Sequence, residues 1–508
     1  MQSARVAPTA RRQRSRRIRG RVGPFGRPLP WLAGVAVVFT VLQLVLVVPG
    51  EGLGWDETVY VSQVSPYAPT AFFSAPRARG ISFLVAPVTV LTASTTVLRV
   101  YLAVLSGAGL FLALRVWRRL IPAPVLALAG ALFAGLWVTL FYGPQVMPNL
   151  WVAYAALLAT GCFLRAAGDR TDRRALLGLA AGVAFAALMR FSDALWLALP
   201  LAGAALFVRD WRRPALLVAL VLGAAAGCAE WVVEAYVRYG GLAARLERAS
   251  EIQGGMGWHL AFDDHLRALE GRTLCRPCDV RRGHPAAGAW WFMLPLLTSG
   301  GLLAASRARR LATLLVPTLT ALSLAVPYVL MLDYAAPRFL LPSYALLALP
   351  VAVCVVWLVT GLRQRLLMPI AAAAVALVIL GHLSLQYAVL HGVVARSREA
   401  RGAVGRIAAE LQREGVRPPC VVTGAEAVRI AYRAGCSSRQ AGGHDGSVTG
   451  AGLAAMARTK PVAVLVAGDG AAPPYARGWR TVSLPRLGGL HSYRAHVSPS
   501  AVSRSATR

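Results

Sequence analysis

Apolar positions along the chain fall in runs near twenty residues long, recurring from about residue 29 to 389 and separated by short polar breaks. A run of that length, wound as a helix, matches the hydrocarbon thickness of a bilayer, where a backbone must satisfy its own hydrogen bonds. The pattern predicts a transmembrane region over 29–389 with eleven spans, near 31–49, 98–116, 123–142, 149–166, 175–190, 194–208, 215–236, 287–304, 311–332, 339–360 and 368–389. The loop at 50–97 holds an apolar piece, Ile81 to Leu91, too short to cross and suited to the membrane interface. A second long loop, 237–286, is polar. Beyond 389 the pattern changes to a helix from about Ser397 to Glu414, a strand Cys420–Thr423, a helix over 425–434 and a strand Val462–Val466. This predicts a small α/β domain over 390–497 with a loose tail at 498–508. The expected fold class is mainly α: a polytopic membrane protein of about eleven transmembrane helices with a small C-terminal extracytoplasmic α/β domain.

Charge changes the picture through its location. Lysine and arginine number 54 against 22 acids, a formal net charge of +32, and Lys460 is the single lysine. The arginines crowd the tail at 1–28 and alternate short loops: Arg115, Arg118 and Arg119; Arg170, Arg173 and Arg174; Arg209, Arg212 and Arg213; Arg307, Arg309 and Arg310; Arg363 and Arg365. The intervening loops at 143–148 and 333–338 are almost free of positive charge. This alternation is the positive-inside pattern of a multi-pass protein, and it argues against nucleic-acid binding. It predicts a plasma-membrane protein with a cytoplasmic N-terminus, an uncleaved first span and an extracytoplasmic C-terminal domain. At Arg190-Phe191-Ser192-Asp193 the break reads either as an outside turn or as a kink.

Cys162, Cys228 and Cys354 fall in predicted spans, and Cys275, Cys278, Cys420 and Cys436 fall outside, where thiols oxidise. The expected bridges are Cys420–Cys436, from a strand start to the end of the following helix, and Cys275–Cys278. A zinc site on Cys275, Cys278 and His284 is the alternative, but it lacks an evident fourth ligand.

The chemistry candidates gather on the outer side. Asp56 and Glu57 follow the first span, near Tyr60. Adjacent carboxylates at a bilayer surface can have raised proton affinity and abstract a proton from a hydroxyl; solvated turn residues are the plainer reading. Arg190 is costly within an apolar stretch unless paired with Asp193 or used to bind an anion. Glu230 and Glu234 share one helix face and either line a cavity, hold a divalent metal or pair with Arg238. Asp263, Asp264 and His265 are consecutive, point in different directions and read as loop residues.

A first external loop opening Asp56-Glu57-x-x-Tyr60, an interfacial segment and about ten further spans resemble the GT-C glycosyltransferases, which include protein mannosyltransferases and aminoarabinose transferases. Val97-Leu98-Arg99-Val100 and Pro337-Arg338-Phe339-Leu340-Leu341-Pro342 extend the resemblance. The Lys-Pro-Pro-Leu stretch common in that loop is here Ala75-Pro76-Arg77-Ala78-Arg79-Gly80. The resemblance implies an inverting transfer of sugar from a polyprenyl-phosphate donor in the membrane lipid to a glycan, lipid or protein acceptor. It implies Asp56 as base, Glu57 as orienting the acceptor or supporting Asp56, and Arg77, Arg79, Arg99, Arg190 and Arg338 as candidates for the leaving phosphate; Tyr60, and Glu234 by its place on the helix face, are the further substrate-binding candidates. The sequence names no certain cofactor, and a divalent metal stays an open alternative. A transporter, a lipid flippase or an envelope-assembly scaffold is the competing class. Transporters commonly repeat one half in the other, and no internal repeat is visible here.

Overall fold

A computed structural model of the chain describes residues 29–255, 257–276, 278, 285–361, 367–443, 445–468, 470–487 and 493–501. The basic tail at 1–28, His284, Arg363 and Arg365 lie outside the described residues. Helix α1 (Leu29–Leu42) is followed by two short helices, α2 (Trp55–Ser62) and α3 (Gly80–Thr89), and then by α4 (Thr95–Val116), α5 (Ala123–Ala134), α6 (Trp137–Tyr142) and α7 (Asn149–Gly168). Next come α8 (Arg173–Met189), α9 (Phe191–Phe207), α10 (Pro214–Arg238), α11 (Leu242–Ile252) and α12 (Phe262–Ala268). The bundle ends with α13 (Ala289–Arg307), α14 (Leu311–Leu330), α15 (Leu341–Thr360) and α16 (Leu367–Arg413). Every predicted span coincides with helix, and among the described residues eight helices are long and apolar enough to cross a membrane.

Helices α7 and α15 form the enclosed centre, with α4, α8 and α14 packed on α7. Lipid offers no hydrophobic drive between helices, so close packing through small residues must hold them together. Gly223 and Gly227 of α10 provide it: a Cβ on either would lie 2.5 or 2.1 Å from the carbonyl oxygen of Ala180 or Ala184 on α8. The break at Arg190 is a turn rather than a kink. Gly80 abuts the Leu188 carbonyl at the end of α8, whereas Arg213, beyond α9, donates to the Ala166 and Arg170 carbonyls beside the start of α8. Helices α8 and α9 therefore run in opposite directions.

Two boundaries differ from the sequence reading. No proline interrupts 370–417, and α16 continues through the expected border at 389/390 as one helix of 47 residues, about 70 Å long at 1.5 Å per residue. Its first half exposes Ile370, Leu377, Val378 and Leu380, and its second half buries Ala403, Val404, Ile407, Ala408 and Leu411 in the sheet domain. That domain has strands β1 (Val421–Gly424), β2 (Ser437–Ser438), β3 (Val462–Ala467), β4 (Arg480–Ser483) and β5 (Tyr493–Val497), in the order β2-β1-β3-β5-β4. The first three are parallel, and β5 runs antiparallel to β3 and β4. Helices α17 (Ala427–Ala434) and α18 (Gly450–Thr459) connect the parallel strands. Cys420 and Cys436 are disulfide-bonded across α17. The chain after Val497 is not loose as far as it is described, because Ser498 bonds both ways with Val462 and Ala501 is fully buried.

Candidate functional site

Helix α2 opens the first loop, and its first turn carries both acids, where the helix dipole favours negative charge. Successive residues on a helix are turned by about 100°, so Asp56 and Glu57 face different surroundings. Glu57 points into protein and is 2% exposed. Its Oε2 accepts from the Gly54 amide at 2.8 Å and from Arg99 Nη2 at 2.7 Å; its Oε1 accepts from the Val146 amide at 2.6 Å and from Arg99 Nη1. Arg99, fully buried on α4, also donates to the carbonyls of Pro144, at 2.7 Å, and Gly52. The pair joins the first loop, α4 and the 143–148 loop. Arg99 is consumed in this contact and stays out of the cavity wall, so it is not available to a phosphate as the sequence reading had it.

Asp56 instead faces a cavity of about 1570 Å³, with its side chain 34% exposed. Arg77 Nη2 donates to Oδ1 at 2.8 Å and Arg338 Nη2 to Oδ2 at 3.1 Å. Arg338, itself in the cavity wall, is held from behind by the Thr273 carbonyl at 2.9 Å. The pairing of the Cys275 and Ala335 backbones beside the Cys275–Cys278 disulfide fixes that carbonyl's segment against the residues before Arg338. Burial pushes the Asp56 carboxyl up, but the guanidiniums of Arg77 and Arg338, with Arg190 further off, outweigh it and hold the carboxyl below its ordinary value. The expected raised proton affinity is therefore reversed. Tyr60 is buried under this centre, edge-on to Phe73 at 6.1 Å, and is not in the cavity wall.

Arg190 pairs with Asp193 at 3.2 Å, its guanidinium about equally far from the Tyr328 and Phe339 rings, 5.6 and 5.5 Å from their centroids. Arg79 and Glu234 belong to a separate cluster. Arg79 meets Glu234 at 2.5 Å and Glu230 at 3.3 Å over the Phe73 face, and it borders a smaller cavity of about 450 Å³. Glu234 is also bound by Arg245 at 3.0 Å, and Arg245 donates to the Ala75 and Arg77 carbonyls as well, pinning the loop that bears Arg77. The sequence reading missed Arg245, which lies in an ordinary amphipathic helix with no local signal. Asp263, Asp264 and His265 lie in α12 rather than in a loop: Asp263 pairs with Arg267 at 2.7 Å, and His265 reaches the Tyr328 carbonyl at 3.0 Å. Cys275 and Cys278 bond to each other, which removes the zinc alternative built on their thiolates, and no group of three potential ligands occurs among the described residues.

From Asp56 the cavity extends along α16 to α17. Arg272, Arg396, Arg398, Arg401, Arg429 and Arg433 line this part against Glu270 and Glu426. Ser397 of α16 donates to the buried Glu51 at 2.6 Å, and Arg401 donates to the Glu51 carbonyl at 3.0 Å, anchoring the long helix to the first loop.

No family model matches the sequence, and no curated protein matches it. Solved structures do. ArnT from Cupriavidus metallidurans bound to undecaprenyl phosphate superposes with a TM-score of 0.65 at 13% identity, over 92% of this chain and 98% of that one. The apo ArnT structure gives 0.60 at 13% identity, over 93% and 98%. The Archaeoglobus fulgidus oligosaccharyltransferase in complex with Zn and sulfate gives 0.51 at 13%, over 85% and 67%. At such identity the likeness establishes the fold, and it is the GT-C fold that the Asp-Glu-x-x-Tyr loop suggested.

Removing one member of the Glu57–Arg99 pair strands the other's charge in protein. Arg99→Leu is expected to cost about 3–5 kcal/mol of stability, and Arg99→Leu with Glu57→Gln much less than the sum of the two singles. Thermal unfolding in detergent checks this; a native midpoint for Arg99→Leu alone would show that the pair does not hold the loop.

Proposed function

We propose that the chain is an inverting glycosyltransferase that moves a sugar from a polyprenyl-phosphate donor to an extracytoplasmic acceptor at the outer face of the plasma membrane. The observation that carries this reading is one carboxylate, Asp56, held between two guanidiniums in the wall of a large cavity at one end of a membrane bundle. A solved structure of the same fold is bound to undecaprenyl phosphate, which supports a donor of that class here. In the transfer, the acceptor hydroxyl oxygen bonds to the anomeric carbon from the side opposite the phosphate, and the carbon–phosphate oxygen bond breaks. Asp56 takes the hydroxyl proton. The electron pair leaves on the phosphate oxygen, where Arg338, a fork-shaped donor in the cavity wall, meets the developing charge.

Arg338 cannot grip Asp56 and a phosphate equally. As the donor phosphate draws Arg338 away, Asp56 loses a cation and its proton affinity rises, so the base strengthens when the donor is in place. The arginine-rich remainder of the cavity favours an anionic acceptor. Arg79 and Glu234 have a structural part in this reading, keeping the Arg77 loop against α10.

Asp56→Asn is expected to lower the chemical step by about 10²–10⁴, with donor binding as tight or tighter because the freed guanidiniums lose their internal carboxylate. Transfer from radiolabelled polyprenyl-phosphate sugars to envelope fractions is the measurement, and native-rate transfer by the variant would remove Asp56 as base. The pH profile gives a second check. Arg338 helps hold the Asp56 carboxyl low, so Arg338→Gln raises it and moves the acid limb of kcat/KM to higher pH, in addition to any loss of rate. An unmoved or lowered limb contradicts the assignment.

Sidedness is tested separately. With the N-terminus cytoplasmic, a membrane-impermeant maleimide should label a cysteine at Ala451, exposed on α18, and not one at Thr171, exposed between α7 and α8. The opposite pattern inverts the topology.

A further inference from the structure

Among the described residues, Asp445 is the one through which the sheet domain bonds to the Asp56 centre. Asp445 lies between β2 and α18, far along the chain from the first loop, yet its Oδ1 accepts from Arg77 Nη1 at 3.1 Å and its Oδ2 from Trp55 Nε1 at 3.0 Å. Trp55 is the neighbour of Asp56, and Arg77 is its partner. The Asp445 side chain is 14% exposed and the Arg77 side chain 12%, so water does not readily replace this contact.

Arg77 is the only described residue that touches both carboxylates: Nη2 is on Asp56, and Nη1 is divided between Asp445 and Ser74 Oγ at 2.6 Å. The segment carrying Asp445 is tied to the sheet at its base. Gln440 exchanges hydrogen bonds with the backbone of Gly424 at the end of β1, and its carbonyl accepts from the amides of Ser447 and Val448. Helix α17 packs beside α2, and Tyr432 meets Ser65 at 3.5 Å, so the domain rests on the helix that carries the acids.

We propose that Asp445 is a positioning residue for the Asp56 centre: it anchors Arg77 from the sheet domain, and so makes the orientation of Asp56 depend on the seating of that domain. The proposal rests on the glycosyltransferase reading, in which Asp56 is the base. Asp445 touches neither donor nor acceptor in this scheme. Its effect passes through Arg77, which without it has only Ser74 to hold the outer nitrogen and no longer presents a fixed edge to Asp56. Since a misplacement near 1 Å can cost up to about 10²-fold in rate, the loss of the anchor should appear in kcat, while KM for the donor stays within about twofold.

The test is a double-mutant cycle on the full-length protein in the polyprenyl-phosphate sugar assay. Asp445→Asn alone is expected to lower kcat about 10-fold or more. In an Arg77→Gln background the same change is expected to cost less than about 2-fold, because the residue it acts through is already gone. Asp445→Glu, which keeps the charge one methylene further out, should recover part of the rate, and it takes the place of Asp445→Asn in the cycle if that variant fails to fold. Independent, multiplicative losses in the double variant, or native kcat for Asp445→Asn, would overturn the proposal. A native rate for Asp56→Asn would instead remove the glycosyltransferase base itself, so the two failures are distinguishable.

Discussion

At the head of the bundle a carboxylate and a guanidinium are both taken out of water, and the arrangement of that end depends on their meeting. Glu57 and Arg99 gain little net stability from mutual attraction, because desolvating two charges offsets most of it. Their contribution is directional. The pair's four backbone contacts, with the Gly54 and Val146 amides and the Pro144 and Gly52 carbonyls, draw together the loop after α1, the start of α4 and the 143–148 turn. With Glu57 locked inward, the helical rotation of about 100° per residue leaves Asp56 facing the cavity. A buried side chain thus decides where the exposed one points.

The remaining charges follow the same economy. Arg245 and Arg79 close on Glu234 and Glu230, and Arg245 reaches through to the carbonyls of the loop bearing Arg77. Arg190 at the α8–α9 turn pairs with Asp193, which also accepts from Tyr328. Each of these charges is matched locally. Asp56 is the exception in degree: its side chain is a third exposed, and both of its cations meet it at the cavity wall or just behind it.

Much of the fold was legible because a membrane enforces simple rules. Run length marked the helices, and the family-like Asp-Glu-x-x-Tyr opening pointed to the GT-C fold. What stayed hidden needed three dimensions. Adjacent letters suggested that Asp56 and Glu57 work together, and only the helical turn separates them. Arg99 looked like any arginine near an outer surface, and its complete burial depends on α4 meeting two distant loops. Helix α16 passes from apolar to amphipathic without a proline or a capping signal, so composition suggested a border where the backbone has none. Asp445, in a glycine-rich stretch of the sheet domain, carries no local mark of its contact with Trp55 and Arg77, which depends on the domain folding back over the first loop.

The low proton affinity of Asp56 is at first sight a poor property for the proposed base, and in that reading the geometry turns it into a safeguard. The two guanidiniums are nearly buried and need an anion beside them, since leaving them unpaired would be costly, and Asp56 supplies it. In the proposed reaction a donor phosphate replaces that internal anion on Arg338, the one of the two that lines the cavity. Arg77, anchored from the sheet domain, remains on the other carboxylate oxygen and keeps it aimed. Asp56 then regains proton affinity only when a leaving group is in place, so the same exchange of partners that binds the donor prepares the base.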